Sequence, residues 1–471
     1  MEKNLTTGTT SPTAEAVLPS PALVDALRGV VRGAVVTPAD LDWDAARAAW
    51  NVAIDQHPLA VVHPLDVADV EAVVRVAAQQ GVPVSAQPRG HGATAALDGT
   101  ILVRTHVFDD VAVDTAARTA RVGAGVLWGR LLSALDGTGL VALAGSNAHV
   151  SVAGLTLNGG LSWFGRAFGT SASALRAIDL VTPDGHVRTV DADHDPDLFW
   201  ALRGGGGDFG IVTAVEIDLF EAPAITGGRL VFPGTHAREV LAAWAELTRT
   251  APDELTTWTA LLSFPDAPFL PEEIRGQSFV TVDAVLVGTP DESARLLAPV
   301  RAAAPLIRDT TRPLPPSELG TVAEEPEEAM PALSLGQPLS RLDAAVLDHL
   351  VATAGPGSDT PLMLVQIRHL GGALQTGDTA AGAGMRVDAP YVAMSVGAVP
   401  TPALAAPVAQ ALTALVDGFG DARTTGSVLT FLNAGQSVTD AYDPATVARL
   451  RDVKLAVDPA GTIRSNYPVL D

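Results

Sequence analysis

The sequence predicts an α+β protein of two unlike units, and three observations carry that prediction. The first 221 residues mix short apolar runs with single helical segments and glycine-rich joints. From about residue 222 to 420 longer helices alternate with longer strands, joined by Pro-rich links such as Phe264 to Pro271 and Arg312 to Pro316. The length of 471 residues allows two or three domains at about 150 residues each, and a hydrophobic content of 47% can bury a large core.

In chain order, the first twenty residues, with one lysine and no apolar centre, read as a disordered tail and argue against a secretory signal. Leu23 to Val31 and Trp43 to Asn51 are expected helices, and Leu59 to Val62 a strand. Val67 to Gln80 places Val67, Val70, Val73, Val74 and Ala77 at helical spacing, with Asp66 as N-cap and Gly81 at the C-terminus. Val82 to Ala86 and Ile101 to Val103 are strand-like and flank Gln87-Pro88-Arg89-Gly90-His91-Gly92-Ala93. Pro88 fixes one backbone angle, and Gly90 and Gly92 free the backbone beside His91. An imidazole on such a loop can be pressed against a ligand; the plain alternative is a surface turn histidine.

Val111 to Asp114 and Thr119 to Val122 are expected to pair antiparallel, and Gly125 to Leu135 to be helical. Gly145 to Gly160 is dense in Gly, Ser and Ala, which lets backbone come close to something flat or anionic. Leu175 to Val181, the turn Pro183-Asp184-Gly185 and Val187 to Val190 form a hairpin. A helix over Asp197 to Arg203 ends in Gly204 to Gly207, and a strand runs from Ile211 to Phe220. Gly205, Gly207 and Gly210 match a dinucleotide-binding spacing, but the order is helix first and strand second. That reverses the strand–glycine–helix order which aims a helix N-terminus at pyrophosphate, so no nicotinamide-binding domain is expected.

The second unit is expected to carry helices over Ala237 to Thr250, Ser293 to Ala304 and Ala403 to Val416. Its expected strands are Gly228 to Phe232, Ser278 to Val287, Leu362 to Arg368 and Tyr391 to Val399, in a mostly antiparallel sheet with helices on one face. The chain has no cysteine, which excludes disulfides and thiolate chemistry, and no histidine pair has metal-ligand spacing. A net charge of −23 argues against nucleic acid and anionic membrane as partners, and no apolar run reaches the length of a membrane span. A cytoplasmic protein is expected.

The motifs QPRGHGA, GSNAHVSVAGLTLNGG, DLVTPDGHV and DLFWALRGGGGDFGIVTAVEIDLF, in that order, resemble the flavin domain of berberine-bridge-enzyme-like oxidases in the vanillyl-alcohol-oxidase superfamily, in its bacterial branch. The closing segment, with Ala441-Tyr442-Asp443-Pro444, Val453-Lys454, Asp458-Pro459 and Asn466-Tyr467-Pro468-Val469, is similar too. The resemblance implies a two-domain PCMH-type FAD-binding fold: an FAD-binding domain over 21–221, a substrate domain over 222–420 whose sheet roofs the flavin, and a return to the first domain over 421–471. It implies a covalent flavin bond from His91 to the 8α-methyl carbon. Asn147 stands where many members carry a second linking cysteine, so at most one covalent bond is expected. Ser151 stands where glycine is usual.

Cofactor contacts are expected from Pro88, Arg89, Gly90, His91, Gly92 and Ala93 in the first loop. A second group runs through Gly145, Ser146, Asn147, His149, Val150, Val152, Gly154, Leu155, Asn158, Gly159 and Gly160. Gly205, Gly206, Gly210, Ile211, Val212 and Asn466 complete the set. For proton abstraction the sequence offers three tyrosines, ranked Tyr442, Tyr391, Tyr467, and alternation puts Gln366 and Arg368 on one strand face. Each tyrosine has a purely packing alternative, and Arg368 an exposed one. The implied function is an FAD-dependent oxidase passing electrons from a small organic substrate to O2. The alternatives are an oxidative cyclase or oxygenase and a flavin-binding protein without turnover.

Overall fold

Ser20 caps the first helix, Pro21–Val30: its hydroxyl accepts the N–H of Leu23, and Leu23 and Leu27 of that helix turn inward. The computed structural model describes residues 18–268, 271–426, 428–433 and 435–470, so most of the expected tail lies outside the described residues.

The first sheet has the order Ala34–Val36, Ala60–His63, Ile101–Val103, Val84–Ala86. Its last three strands are parallel and the first is an antiparallel edge. The helix Val67–Gln80 crosses over between them. Asp66 accepts the N–H groups of Ala68 and Asp69 at its start, and Gly81 takes the left-handed conformation at its end (φ 64°). Its Val70, Val73 and Val74 are fully buried with Val84, Ile101 and Val103. The helix expected over Trp43 to Asn51 stops at Arg47, because Ala48 is extended; Trp50 and Asn51 lie beyond it in irregular backbone.

The second sheet is antiparallel throughout, in the order Val111–Asp114, Thr119–Gly123, Ile211–Asp218, Leu175–Val181, Val187–Asp191. The strand expected to run to Phe220 ends at Asp218, and Phe220–Glu221 pairs instead with Leu140–Val141.

The largest sheet has eight strands, all antiparallel. Along its main path the order is Arg308–Asp309, Ile225–Pro233, Ser278–Val287, Leu255–Ser263, Leu364–His369, Tyr391–Ala398, Ala332–Leu339. One face buries Leu255, Leu261, Val365, Ile367, Ala393 and Leu339 under the helices Ala237–Thr250, Pro290–Arg301, Ala344–Ala354 and Ala405–Gly418. The other face meets the first unit, where Trp258 stacks on Trp163 with ring centroids 3.7 Å apart. Four of its strands, Leu255–Ser263, Arg308–Asp309, Arg312–Pro313 and Ala332–Leu339, and the helix Ala344–Ala354 were not expected; Arg312–Pro313 lies in what was expected to be a Pro-rich link.

After the helix Pro444–Val457 the chain returns to the first sheet, where Ile463 bridges Val84 in parallel. Among the described residues no helix is long and apolar enough to cross a membrane.

Candidate functional site

A cleft of about 1660 Å³ opens where these parts meet. Its walls include the loop 85–93, the segment 150–158, the turn at Gly207 and Gly210, the start of the edge strand at 332–335, one side of the helix Ala405–Gly418, and the returning segments 429–433 and 465–467. That volume exceeds the roughly 300–1,000 Å³ of an ordinary small-ligand pocket and has room for a dinucleotide with a second molecule.

The histidine loop is held from behind by a chain of buried polar side chains. Arg104 donates to the carbonyls of Ala46 and Ala48 and to Gln87 Oε1 (2.8 Å). Gln87 donates to Gln56 Oε1 (3.0 Å), and Gln56 donates to the Thr94 carbonyl (2.7 Å). Thr94 in turn donates its N–H and hydroxyl to Asn466 Oδ1 and carbonyl. The loop and the C-terminal segment therefore form one connected wall. Burial lowers the Arg104 guanidinium to about 10, so it stays charged at neutral pH. Gly90, at φ 84°, lets the loop turn tightly against Ala49 and Gln87. His91 lines the cleft, and its Nε2 is buried without a hydrogen-bond partner. Burial, with Arg89 and His149 nearby, pulls its pKa down to about 4, which leaves a neutral imidazole. Gln56, Thr94 and Arg104 escaped the sequence reading because their partners lie far away in the chain.

A second polar cluster fastens the glycine turn to the C-terminal segment. Lys454 Nζ donates to the Asp208 carbonyl (2.6 Å), Asp458 Oδ2 (2.7 Å) and the Ile463 carbonyl (2.7 Å). The Asp208 carboxylate accepts the N–H groups of Ser465 (2.8 Å) and Val469 (3.0 Å). Burial pushes the Asp208 carboxyl up, against the pull of Lys454 and these amides.

Of the expected cofactor residues, Pro88, Arg89, Gly90, His91, Gly92, Ala93, Val150, Gly154, Leu155, Asn158, Gly210, Val212 and Asn466 line the cleft. The others stand behind that wall or beside it. Val152 and Ile211 are fully buried in the apolar cores. Gly145 packs on Leu155, Gly159 on Val428 and Gly160 on Ser171, while Gly205 packs on Leu450. Gly206 approaches Asn158 and Leu429. Ser146 donates its hydroxyl to Glu325 (2.5 Å), and Asn147 donates its side-chain N–H to the Pro326 carbonyl (3.4 Å). His149 donates its N–H to Asn147 Oδ1, and its ring lies parallel to Trp50. Gly207, absent from the expected set, faces the cleft, and a β-carbon there would meet nothing within 4 Å. Ser151, where the resemblance leads to glycine, lines the cleft and accepts the Gly154 N–H at the start of the short helix Val152–Leu157.

The expected catalytic residues lie apart. Tyr391 is on the helix-covered face of its strand, bonded to Thr248 (2.8 Å) and packed near Trp244. Tyr442 donates its hydroxyl to the Gly204 carbonyl, and burial raises its pKa. Neither lines the cleft; Tyr467 does, and it donates to the Leu432 carbonyl (2.7 Å). Gln366 and Arg368 share the inner face of their strand, with Arg368 Nε donating to Gln366 Oε1 (2.7 Å). Arg368 is buried, against its exposed alternative, and sits over Trp258 at 3.8 Å from the ring centroid. It lies beneath the cleft wall: Phe431, 5.3 Å away, and Met394, opposite Gln366, reach the cleft.

Comparison with known proteins agrees with this geometry. Residues 58–191 match the family model of the FAD binding domain. Over 195 residues the chain is 35% identical to (R)-6-hydroxynicotine oxidase of Paenarthrobacter nicotinovorans, covering 41% of this chain and 43% of that protein. It thus spans less than half the length of that relative. Among solved structures, BBE-like 1 of Physcomitrella patens superposes with a TM-score of 0.81 at 19% identity, covering 95% of this chain and 98% of that one. Glucooligosaccharide oxidase from Acremonium strictum, described with a 6-S-cysteinyl, 8α-N1-histidyl FAD, superposes at 0.79 and 20% identity, covering 95% and 98%. Both likenesses show the fold. The relatives are bacterial and fungal alike, so the bacterial branch expected from the sequence is not singled out. The cleft's size, the unpartnered nitrogen of His91 and the open backbone at Gly207 and Gly92 suit a dinucleotide flavin. The chain carries an FAD-binding domain at residues 58–191, within a two-domain fold of the PCMH type.

Proposed function

We propose that the chain is an FAD-linked oxidase that takes a hydride from a small organic substrate and returns the electrons to O2 as hydrogen peroxide. The observation that carries this reading is the composition of the cleft. The loop of the FAD-binding domain, the inner side of the substrate sheet at Met394, and Phe431 of the returning segment face the same space. A ligand held by the first is within reach of a substrate resting on the second. The relatives, hydroxynicotine and xylooligosaccharide oxidases among them, support an oxidase.

Bound FAD supplies the hydride acceptor and the reaction with oxygen. The chain supplies position. In this proposal His91 holds the cofactor through one covalent bond, its neutral imidazole having a nitrogen free of competing hydrogen bonds. The chain has no cysteine to add a second bond. Met394, Phe431 and Leu432 give the substrate side of the cleft an apolar lining, with Ser334 and Asn433 as polar points. Tyr467 replaces Tyr442 as the tyrosine proposed to hold or move a proton, because it alone of the three reaches the cleft.

The test is twofold. Purified protein is incubated with a panel of alcohols, amines, sugars and phenolics while peroxide is followed; peroxide from at least one class is expected, and flavin-loaded protein silent on all of them would overturn the oxidase reading. Acid precipitation should leave flavin in the wild-type pellet and release it from His91→Ala. Full release from wild type would remove the covalent bond from the proposal.

A further inference from the structure

Trp50 stands beside the histidine loop without belonging to the cleft lining. Its ring lies parallel to that of His91, with centroids 4.5 Å apart and planes 17° apart. It is also parallel to His149, at 6.0 Å and 16°. The Arg89 guanidinium sits 5.5 Å from the same ring. The Trp50 N–H donates to the Arg89 carbonyl (2.9 Å), tying this segment to the loop two residues before His91. Next in sequence, Asn51 donates to the Ala332 carbonyl (3.0 Å) on the edge strand of the substrate sheet. Trp50 is therefore fixed at both ends, to the loop through its own backbone and to the opposite sheet through its neighbour.

His91 has no hydrogen bond from either ring nitrogen among the described residues, so no polar partner sets the rotation of its ring. Histidines that act on ligands ordinarily have their second nitrogen oriented by a carboxylate or carbonyl. Here the one directional contact on the imidazole is the stacked indole. We propose that Trp50 is a positioning residue for flavin attachment: its ring fixes the plane of the His91 imidazole so that one nitrogen points at the flavin's 8α carbon. This rests on the reading that FAD is joined at His91. In the step served, a His91 ring nitrogen bonds to that carbon. The carbon and the imidazole each release a proton, the flavin takes two electrons and two protons, and O2 then removes them as hydrogen peroxide. Trp50 touches none of the reacting atoms. It reduces the rotational freedom of the attacking ring, and its effect belongs on the attachment rate, with little on cofactor affinity.

Apoprotein expressed under riboflavin limitation is mixed with FAD, and acid-stable flavin is followed in time while total binding is read by flavin fluorescence quenching. Three chains are compared: wild type, Trp50→Leu and Trp50→Phe. Trp50→Leu is expected to attach flavin roughly 3- to 10-fold more slowly, the value of one aromatic pair in rate, with total binding changed less than twofold. Trp50→Phe keeps a stacking ring and should recover most of the lost rate. A wild-type rate in Trp50→Leu overturns the inference while leaving the His91 bond intact. So does a Phe variant as slow as the Leu one, because the loss would then not come from stacking. Acid-labile flavin in the wild type overturns both the bond and the role of Trp50.

Discussion

Lys454 and Asp208 meet where no solvent reaches, the ammonium donating to the aspartate's own carbonyl at 2.6 Å while standing 3.7 Å from its carboxylate. Asp458 completes the group, and the three residues are each no more than 2% exposed. Replacing Lys454 by Met leaves two carboxylates buried without a cation. The expected cost is about 3–5 kcal/mol, the usual result of breaking a buried pair on one side. Thermal melting of Lys454→Met should fall well below wild type, with loss of bound flavin, because Asp208 also positions Ser465 and its neighbours in the cleft wall. An unchanged melting temperature would show the cluster to be energetically idle.

The glycine run separates into two kinds of position. Gly204 has φ 107°, and a β-carbon there would run into the backbone of Gly384. Gly204→Ala should therefore fail in folding or lose much stability. Gly207→Leu should fold normally and push its side chain into the cleft. Filling space that a ligand needs costs about 1–3 kcal/mol, or roughly 5- to 150-fold in FAD affinity. Titration of apoprotein with FAD, beside a melting curve, separates the two effects.

The tyrosines allow a direct comparison. Tyr467→Phe should retain flavin and slow anaerobic flavin reduction by about 10² to 10⁴, the range for a general base. Tyr442→Phe and Tyr391→Phe lose bonds to Gly204 and Thr248 and should cost about 1–3 kcal/mol of stability without slowing reduction. Equal reduction rates in all three variants would show that no tyrosine moves the proton.

His369 gives a pH prediction. Burial and the nearby Arg166 guanidinium lower its pKa to about 3, and its Nε2 lies 3.1 Å from Arg166 NH1. The unfolded chain binds a proton at this residue below about 6.5, the ordinary value, while the folded chain does not until about 3. Between those values the unfolded state holds more protons, so stability falls as pH falls. His369→Gln keeps an acceptor for Arg166 and cannot be protonated. Its melting temperature should decline less than that of wild type between pH 6.5 and 4; parallel curves would assign the acid sensitivity elsewhere.

Elements with a local signal were legible in the sequence. The helix Val67–Gln80 has its cap, apolar spacing and terminal glycine within the sixteen residues from Asp66 to Gly81, and it forms as expected. Strand Leu255–Ser263 lacks such a signal because it is buried on both faces and shows no alternation. Ala332–Leu339 contains Gly336 and Pro338, which speak against a strand; as an edge strand it tolerates both. In the site, loops that line the cleft were legible from their glycines. Glycines that only let chain segments pack, such as Gly159 and Gly160, carry the same composition and cannot be told apart from it. Gln56 and Arg104 were invisible for the opposite reason, being single polar residues whose partners come together only in three dimensions.

Thr94 and Asn466 are 372 residues apart in the chain, and Val84 takes its parallel neighbour Ile463 across a similar span. A ribosome therefore releases the histidine loop long before the residues that complete its wall exist. Until the final helix has emerged and docked, the edge of the first sheet at Val84 lacks a partner and Asp208 has no cation. The first sheet's edge, the histidine loop and the buried Asp208 are therefore all completed by one stretch, residues 454–469, so a change there reaches three parts of the cleft wall at once.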